Sequence, residues 1–264
     1  MDNFIKPRIT TDPGFLFTPV LHLLFVIAKC FPFYTFSLTF FFSMPDVYLI
    51  SGLGADQRIF QRLRLNRCQL HPVHWIRPEK RETMSAYAGR LNAQILSPEP
   101  VLLGMSFGGM MAIEISRLRP VKGLILISSV KSSAELPPYF QLLHLLPVHR
   151  WLPYPWLQVL GVWLGKWLFG PETEATFQLL KKIIEETDEV FFRWAWQKVI
   201  SWENHALACP YTHIHGDRDH MLPICFVKKP DRVIHGGTHL MILDRADEIN
   251  AQVQAFIDAY FPED

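Results

Sequence analysis

The sequence predicts an α/β protein: a mostly parallel central sheet of about six strands, helices on both faces, and a helical, aromatic-rich cap inserted after the fourth strand. Three observations predict it. Short apolar runs alternate with segments whose apolar residues recur at helical intervals, the pattern of strand–helix–strand crossovers. One such run passes without a break into Gly104-Met105-Ser106-Phe107-Gly108 and then a helical segment. Finally, residues 131–205 carry no strand signal but hold most of the tryptophans.

Length and charge bound the rest. At 264 residues one α/β unit with an insertion accounts for the chain. Its 26 basic and 25 acidic residues leave a net charge of +1, which excludes a strongly anionic partner such as nucleic acid. Cys30, Cys68, Cys209 and Cys225 form no CxxC pair and suit reduced cytoplasmic thiols. His213 and His215 share a face of one expected strand without partners at ligand spacing, so they read as structural and no metal is expected.

In chain order, residues 1–43 come first. From Phe15 to Phe42 the chain is almost wholly apolar, broken by Pro19, His22, Lys29 and Pro32, with Lys6 and Arg8 ahead of it. That length crosses a bilayer, and the positive flank would hold the N-terminus in the cytoplasm. Three readings stand: a membrane anchor through residues 15–42, a mis-assigned start with the working protein beginning at Met44, and a buried core helix. The expected location is cytoplasmic, with membrane contact only through this segment.

Val47–Ser51 reads as a central parallel strand ending in Gly52-Leu53-Gly54. A strand over Gln69–Ile76 and a helix from Thr83 to Ile95, with Met84, Tyr87, Ala88, Leu91 and Ile95 at helical spacing, lead back to the run before Ser106. Gly123–Ser129 is a fourth strand. Over residues 131–205, Pro137, Pro138, Pro147, Pro153, Pro155 and Pro171 divide the tract into short helices. All tryptophans but Trp75 fall there, and several of its aromatic rings are expected to line an apolar pocket over Ser106. Strands resume at Tyr211–Gly216 and Arg232–Ile234. A closing helix, residues 247–260, sets Ile249, Val253, Phe256 and Ile257 on one face. The expected division is thus 1–43, a core of 44–130 and 206–264, and a cap of 131–205.

Strand, sharp turn and helix around Gly-x-Ser-x-Gly form a nucleophile elbow, in which the serine projects from a strained turn. A serine hydroxyl is a weak nucleophile and needs a base, and the base needs an acceptor to hold its tautomer. In such a sheet the chain order is serine, acid, histidine. His239 follows the last strand in a Gly-Gly-Thr-His loop; its nearest competitor, His235, precedes the glycines. Asp217 and Asp219 both follow the preceding strand. Asp219 lies further past its end and is the expected acid, leaving Asp217 to cap a turn. An oxyanion needs two backbone donors, assigned to Phe107 N–H at the helix start and Leu53 N–H in the first glycine loop.

Ser-Gly-Leu-Gly, Gly-Met-Ser-Phe-Gly-Gly, Gly-Asp-Arg-Asp-x-x-x-Pro and Gly-Gly-x-His, in that order, resemble α/β-hydrolase-fold enzymes, in particular the small capped esterases that include pimeloyl-carrier-protein methyl esterases. The likeness covers about Pro45 to Phe261. It implies a triad of Ser106, Asp219 and His239, an oxyanion hole of Leu53 and Phe107, and no cofactor. The chain departs from the family pattern in two ways: Ser51 stands where histidine is usual, and no strand hairpin precedes Val47. The expected activity is hydrolysis of a hydrophobic carboxylic ester or thioester through an acyl-enzyme. Alternatives on the same fold are a lyase, a cofactor-free peroxidase-like enzyme and a non-catalytic small-ligand binder. The sequence assigns no oligomeric state.

Overall fold

The computed structural model describes residues 44–145, 151–204, 207 and 209–261. Among them six strands run in chain order as β1 (Asp46–Ile50), β2 (Gln69–Val73), β3 (Val101–Met105), β4 (Gly123–Ile127), β5 (Tyr211–Gly216) and β6 (Arg232–Ile234). They pair as β2-β1-β3-β4-β5-β6, every neighbour parallel. The expectations placed on residues 1–43 lie outside the described residues. Among the described residues no helix is long and apolar enough to cross a membrane.

Period-two alternation divides the strands between two cores. Tyr48, Ile50, Leu102, Leu124 and Leu126 face one side, where α1 (Met84–Leu91) and α2 (Phe107–Ser116) pack. Val47, Leu49, Leu103, Ile125 and Ile214 face the other, covered by α8 (Ala246–Tyr260) through Ile249, Val253, Phe256 and Ile257, the four residues that the helical spacing picks out. Each such aliphatic side chain, fully buried, contributes about 1.5–3 kcal/mol.

Two element boundaries differ from the expected ones by three residues or more. The second strand ends at Val73, short of Ile76, because side chains take over the backbone there: Gln94 Oε1 accepts from His74 N–H at 2.9 Å and Gln94 Nε2 donates to His74 C=O at 2.8 Å, while Tyr87 Oη accepts from Ile76 N–H at 3.0 Å and donates to Ile76 C=O at 2.7 Å. The expected helix over Thr83–Ile95 is α-helical only to Leu91, then tightens into a 3₁₀ turn, Asn92–Gln94.

Between β4 and β5 lie α3 (Pro138–Leu145), α4 (Tyr154–Leu168), α5 (Glu174–Glu186) and α6 (Glu189–Ile200). The last three have 15, 13 and 12 residues and so are longer than the proline count predicts. Among the described residues the prolines sit at helix starts or in linkers: Pro138 opens α3 and Pro155 lies in the first turn of α4, where a missing N–H removes no helical bond. Thr173 and Asp188 cap α5 and α6, accepting from Thr176 N–H at 3.1 Å and Phe191 N–H at 2.8 Å. A short α7 (Met241–Asp244) precedes α8.

His213 and His215 are fully buried on one face of β5. Lys131 Nζ donates to His213 Nδ1 at 2.8 Å, which leaves the His213 Nε2–H to donate to Ser129 C=O at 3.0 Å. Burial, with the Lys131 ammonium beside it, pushes the His213 pKa down to about 2. Burial also holds His215 below the ordinary imidazole value.

Both rings are therefore neutral in the folded chain, whereas the unfolded chain takes up their protons near pH 6.5. The stability they confer is complete above pH 6.5 and is lost as pH falls below it, by up to about 1.4 kcal/mol per pH unit for each ring. Urea midpoints measured from pH 7 to 5.5 are expected to fall, and to fall less steeply in His213→Asn. Equal slopes in the two proteins would show that His213 protonates freely in the folded state.

Candidate active site

The chain leaves β1 toward β2 on one side and returns to β3 on the other, so the loops after β1 and β3 diverge. That divergence opens the crevice where ligands bind in open parallel sheets. Ser106 sits there, at the tip of the turn from β3 into α2, with φ 53° and ψ −121°. The conformation is unfavourable for any residue bearing a Cβ. It is imposed by backbone packing on both sides. A Cβ at Gly104 would press onto the Gly108 carbonyl, and one at Gly108 onto the carbonyls of Ile50 and Ser51 in β1 and its loop. The turn is then pinned: Ser106 N–H donates to Ile127 C=O at 3.0 Å, and Ser106 C=O accepts from Ser129 Oγ at 2.7 Å.

Ser106, Asp219 and His239, picked out separately in the sequence, meet here. Ser106 Oγ lies 3.0 Å from His239 Nε2, and His239 Nδ1 lies 2.8 Å from Asp219 Oδ2. Asp219 and His239 are only 2% and 1% exposed. The buried carboxylate is satisfied on its other oxygen by Leu222 N–H at 2.8 Å. The Phe169 ring packs edge-on against the His239 ring, with centroids 5.4 Å apart.

Their competitors pair elsewhere. Asp217 Oδ2 lies 3.0 Å from the exposed His235 Nδ1, and Asp217 Oδ1 accepts from Gly236 N–H at 2.7 Å, closing the glycine turn. These bonds, His235 foremost, hold the Asp217 carboxyl below the usual carboxylate range.

Leu53 and Phe107 both line the cavity beside Ser106. Phe107 opens α2, where the first amides have no intrahelical acceptor. The loop carrying Leu53 is held by groups that the sequence reading did not single out. Trp75 Nε1 donates to Gly52 C=O at 3.2 Å, which also accepts from Ala55 N–H at 3.0 Å. Because a trans peptide sets C=O and N–H on opposite sides, fixing the Gly52 carbonyl fixes the direction of Leu53 N–H. Ser51, at the position where histidine is usual, steadies the same loop: its buried Oγ donates to Ala55 C=O at 2.7 Å. No sequence signal marks Trp75, since its contact spans 23 residues and depends on where the chain goes after β2.

The cavity over Ser106 has a volume of about 540 Å³. Among the described residues no Asp, Glu, Lys or Arg lines it. From the cap come Tyr154, Phe169, Phe192 and Trp196, together with aliphatic residues such as Leu157, Leu164, Leu180 and Ile183. Tyr139 and Phe140 of α3 line it as well. Seven further cap aromatics lie elsewhere. Phe191, Trp194 and Trp202 pack into the core, while Trp151, Trp156, Trp163 and Trp167 are exposed.

A family model described as the alpha/beta hydrolase family matches residues 47–252. The chain belongs to that family. No curated protein matches the sequence. Among solved structures, this alpha/beta hydrolase resembles an N-acyl homoserine lactonase complexed with N-butanoyl homoserine, at 16% identity and TM-score 0.62, covering 83% of this chain and 91% of that one. It also resembles a malate-bound thermophilic esterase from Thermogutta terrifontis, at 18% identity and TM-score 0.61, with 82% and 90% covered. A third likeness, at 16% identity and TM-score 0.60, is to a putative lipase from Acinetobacter baumannii, with 82% and 84% covered. At these identities the likeness is one of fold.

The strain at Ser106 can be measured. Relieving a non-glycine residue of an unfavourable positive φ gains about 1–3 kcal/mol, offset by about 0.5–1 kcal/mol for the greater freedom of glycine in the unfolded chain. Ser106→Gly is therefore expected to melt a few degrees above Ser106→Ala, at roughly 2–4 °C per kcal/mol for a chain of this size. Equal melting temperatures would show an unstrained turn.

Proposed function

We propose that this alpha/beta hydrolase is a serine esterase or thioesterase that cleaves a hydrophobic acyl substrate through an acyl-enzyme. The observation that carries the proposal is the hydrogen-bonded series Asp219–His239–Ser106 opening into an uncharged apolar cavity.

Ser106 Oγ attacks the acyl carbon as its proton passes to His239 Nε2. The carbonyl π electrons move onto oxygen, and the resulting oxyanion is received by the N–H groups of Leu53 and Phe107. Asp219 keeps the His239 Nδ1 proton facing inward and stabilises the imidazolium. Collapse of the intermediate expels the alcohol or thiol, which leaves with the proton from His239. Water then attacks the acyl-Ser106 ester, His239 again taking and returning the proton, and the free acid departs. The acyl chain occupies the space beneath α4 and α5, whose apolar lining complements a hydrocarbon.

This reading favours neither alternative outlined above. A binder without turnover gives no reason for a nucleophile, base and acid in mutual contact. Among the described residues no feature is dedicated to a lyase or peroxidase-like reaction by the same three side chains.

A fluorophosphonate should add once to the full chain, and the adduct should vanish in Ser106→Ala. On a p-nitrophenyl ester that variant should lose roughly 10⁴-fold or more in rate, because the three residues act as a unit. Asp219→Asn should lose far more activity than Asp217→Asn; the reverse order would move the acid to Asp217. Absence of any adduct on folded protein would sink the proposal.

Acyl selectivity tests the cavity separately. Along a straight-chain p-nitrophenyl ester series, kcat/KM should rise roughly fourfold per methylene, the equivalent of about 0.8 kcal/mol, until the cavity is filled. A flat profile would remove the acyl chain from the space under the cap.

A further inference from the structure

α4 is apolar on every side. Of its fifteen residues only Lys166 carries a charge, and none is acidic. A helix apolar all round is ordinarily covered on every side. The inner side has its partners: Tyr154, Leu157, Leu164 and Leu168 line the cavity, and Gly161 and Gly165 let α4 approach Ile184 and Leu180 of α5 closely.

The outer side does not. Trp156, Val159, Trp163 and Trp167 are 70%, 71%, 74% and 62% exposed. At 100° per residue these four fall within roughly 80° of arc, a single stripe along the helix. Leu160, 42% exposed, flanks the stripe and also touches the cavity. Trp167 keeps one neighbour, the His220 ring, with centroids 4.9 Å apart.

We propose that this stripe is a lipid-docking surface that seats the cap on a bilayer interface. Three observations favour lipid over a protein partner. Tryptophan, with its apolar body and single N–H, is the side chain that concentrates at the level of lipid headgroups. Lys166 lies at the margin of the stripe, its ammonium over the Phe177 ring, where a flexible stem can carry the charge to a headgroup. And the same chain carries, outside the described residues, the apolar run from Phe15 to Phe42, whose length matches a bilayer.

The surface stands independently of hydrolysis, so it is tested on the full chain carrying Ser106→Ala. Vesicles of phosphatidylcholine with a minor fraction of phosphatidylglycerol, containing lipid brominated high on its acyl chains, should quench the tryptophan emission. Residues 1–43 contain no tryptophan and add no emission of their own, so the effect of the stripe is read from Val159→Asp, which leaves residues 1–43 unchanged.

Trp156→Ser/Trp163→Ser/Trp167→Ser should lose most of the quenching while retaining the parent circular dichroism. Val159→Asp keeps every tryptophan, and by setting a charge in the stripe it should at least roughly halve the quenching. An unquenched parent, or quenching unchanged by Val159→Asp, overturns the proposal. So does a lipid-free dimer in sedimentation that Val159→Asp dissociates, since the stripe would then be covered by a second copy.

Discussion

The site depends on a place where backbone meets backbone. Gly104 at the end of β3 and Gly108 in the first turn of α2 leave no room for a Cβ against each other or against the carbonyls of Ile50 and Ser51. That contact brings α2 down onto the sheet so steeply that the residue between strand and helix must adopt a positive φ. Ser106 is thereby raised above the sheet edge. Its own amide and carbonyl are tied to β4 and to Ser129, so the hydroxyl stands on a rigid base. The other parts of the site come to this fixed point on loops: Leu53 from β1, Asp219 from β5, and His239 from the turn after β6. In a parallel sheet all these loops leave from the same edge, which is why residues far apart in sequence converge there.

Two Asp–His pairs lie side by side in the structure, and burial separates their roles. Asp217 and Asp219 follow the same strand two residues apart. Asp217 turns outward, meets His235 near solvent and closes the Gly236 turn. Asp219 turns inward, where a carboxylate without donors would be strongly disfavoured. Leu222 N–H and the His239 ring supply those donors. The inner pair can therefore orient an imidazole at the cavity wall, while the outer one tightens the loop that carries His239. Each pair makes the other's geometry more definite.

The local pattern of the sequence carried most of the architecture. The succession of strands and helices, the elbow and the buried face of α8 follow from periodicity and from glycine placement, which are properties of a few adjacent residues. Ser106, Asp219 and His239 were legible because each sits at a strand end in a fixed chain order. What escaped was set by contacts between distant segments. Gln94 and Tyr87 end β2 early by occupying the backbone groups of His74 and Ile76, and Trp75 orients the Gly52 peptide from outside the motif. The cap shows the same limit. Its composition announces an apolar lining, but only folding separates Phe192 and Trp196, which face the cavity, from Trp156 and Trp163, which face away from it.

That separation links the cap to the site below it. A helix that roofs an apolar pocket must be apolar on its inner side, and the Gly161 and Gly165 contacts hold that side close to α5. Nothing in roofing the pocket requires tryptophans on the outer side. In water such a surface adds no stability to the monomer, and a polar outer face would serve the roof equally well. Leu160 spans the boundary, touching the cavity with part of its surface and open to solvent with the rest. The wall between the cavity and the outer stripe is thus one side chain thick at this point. An apolar environment on the outside would meet the apolar lining on the inside across Leu160.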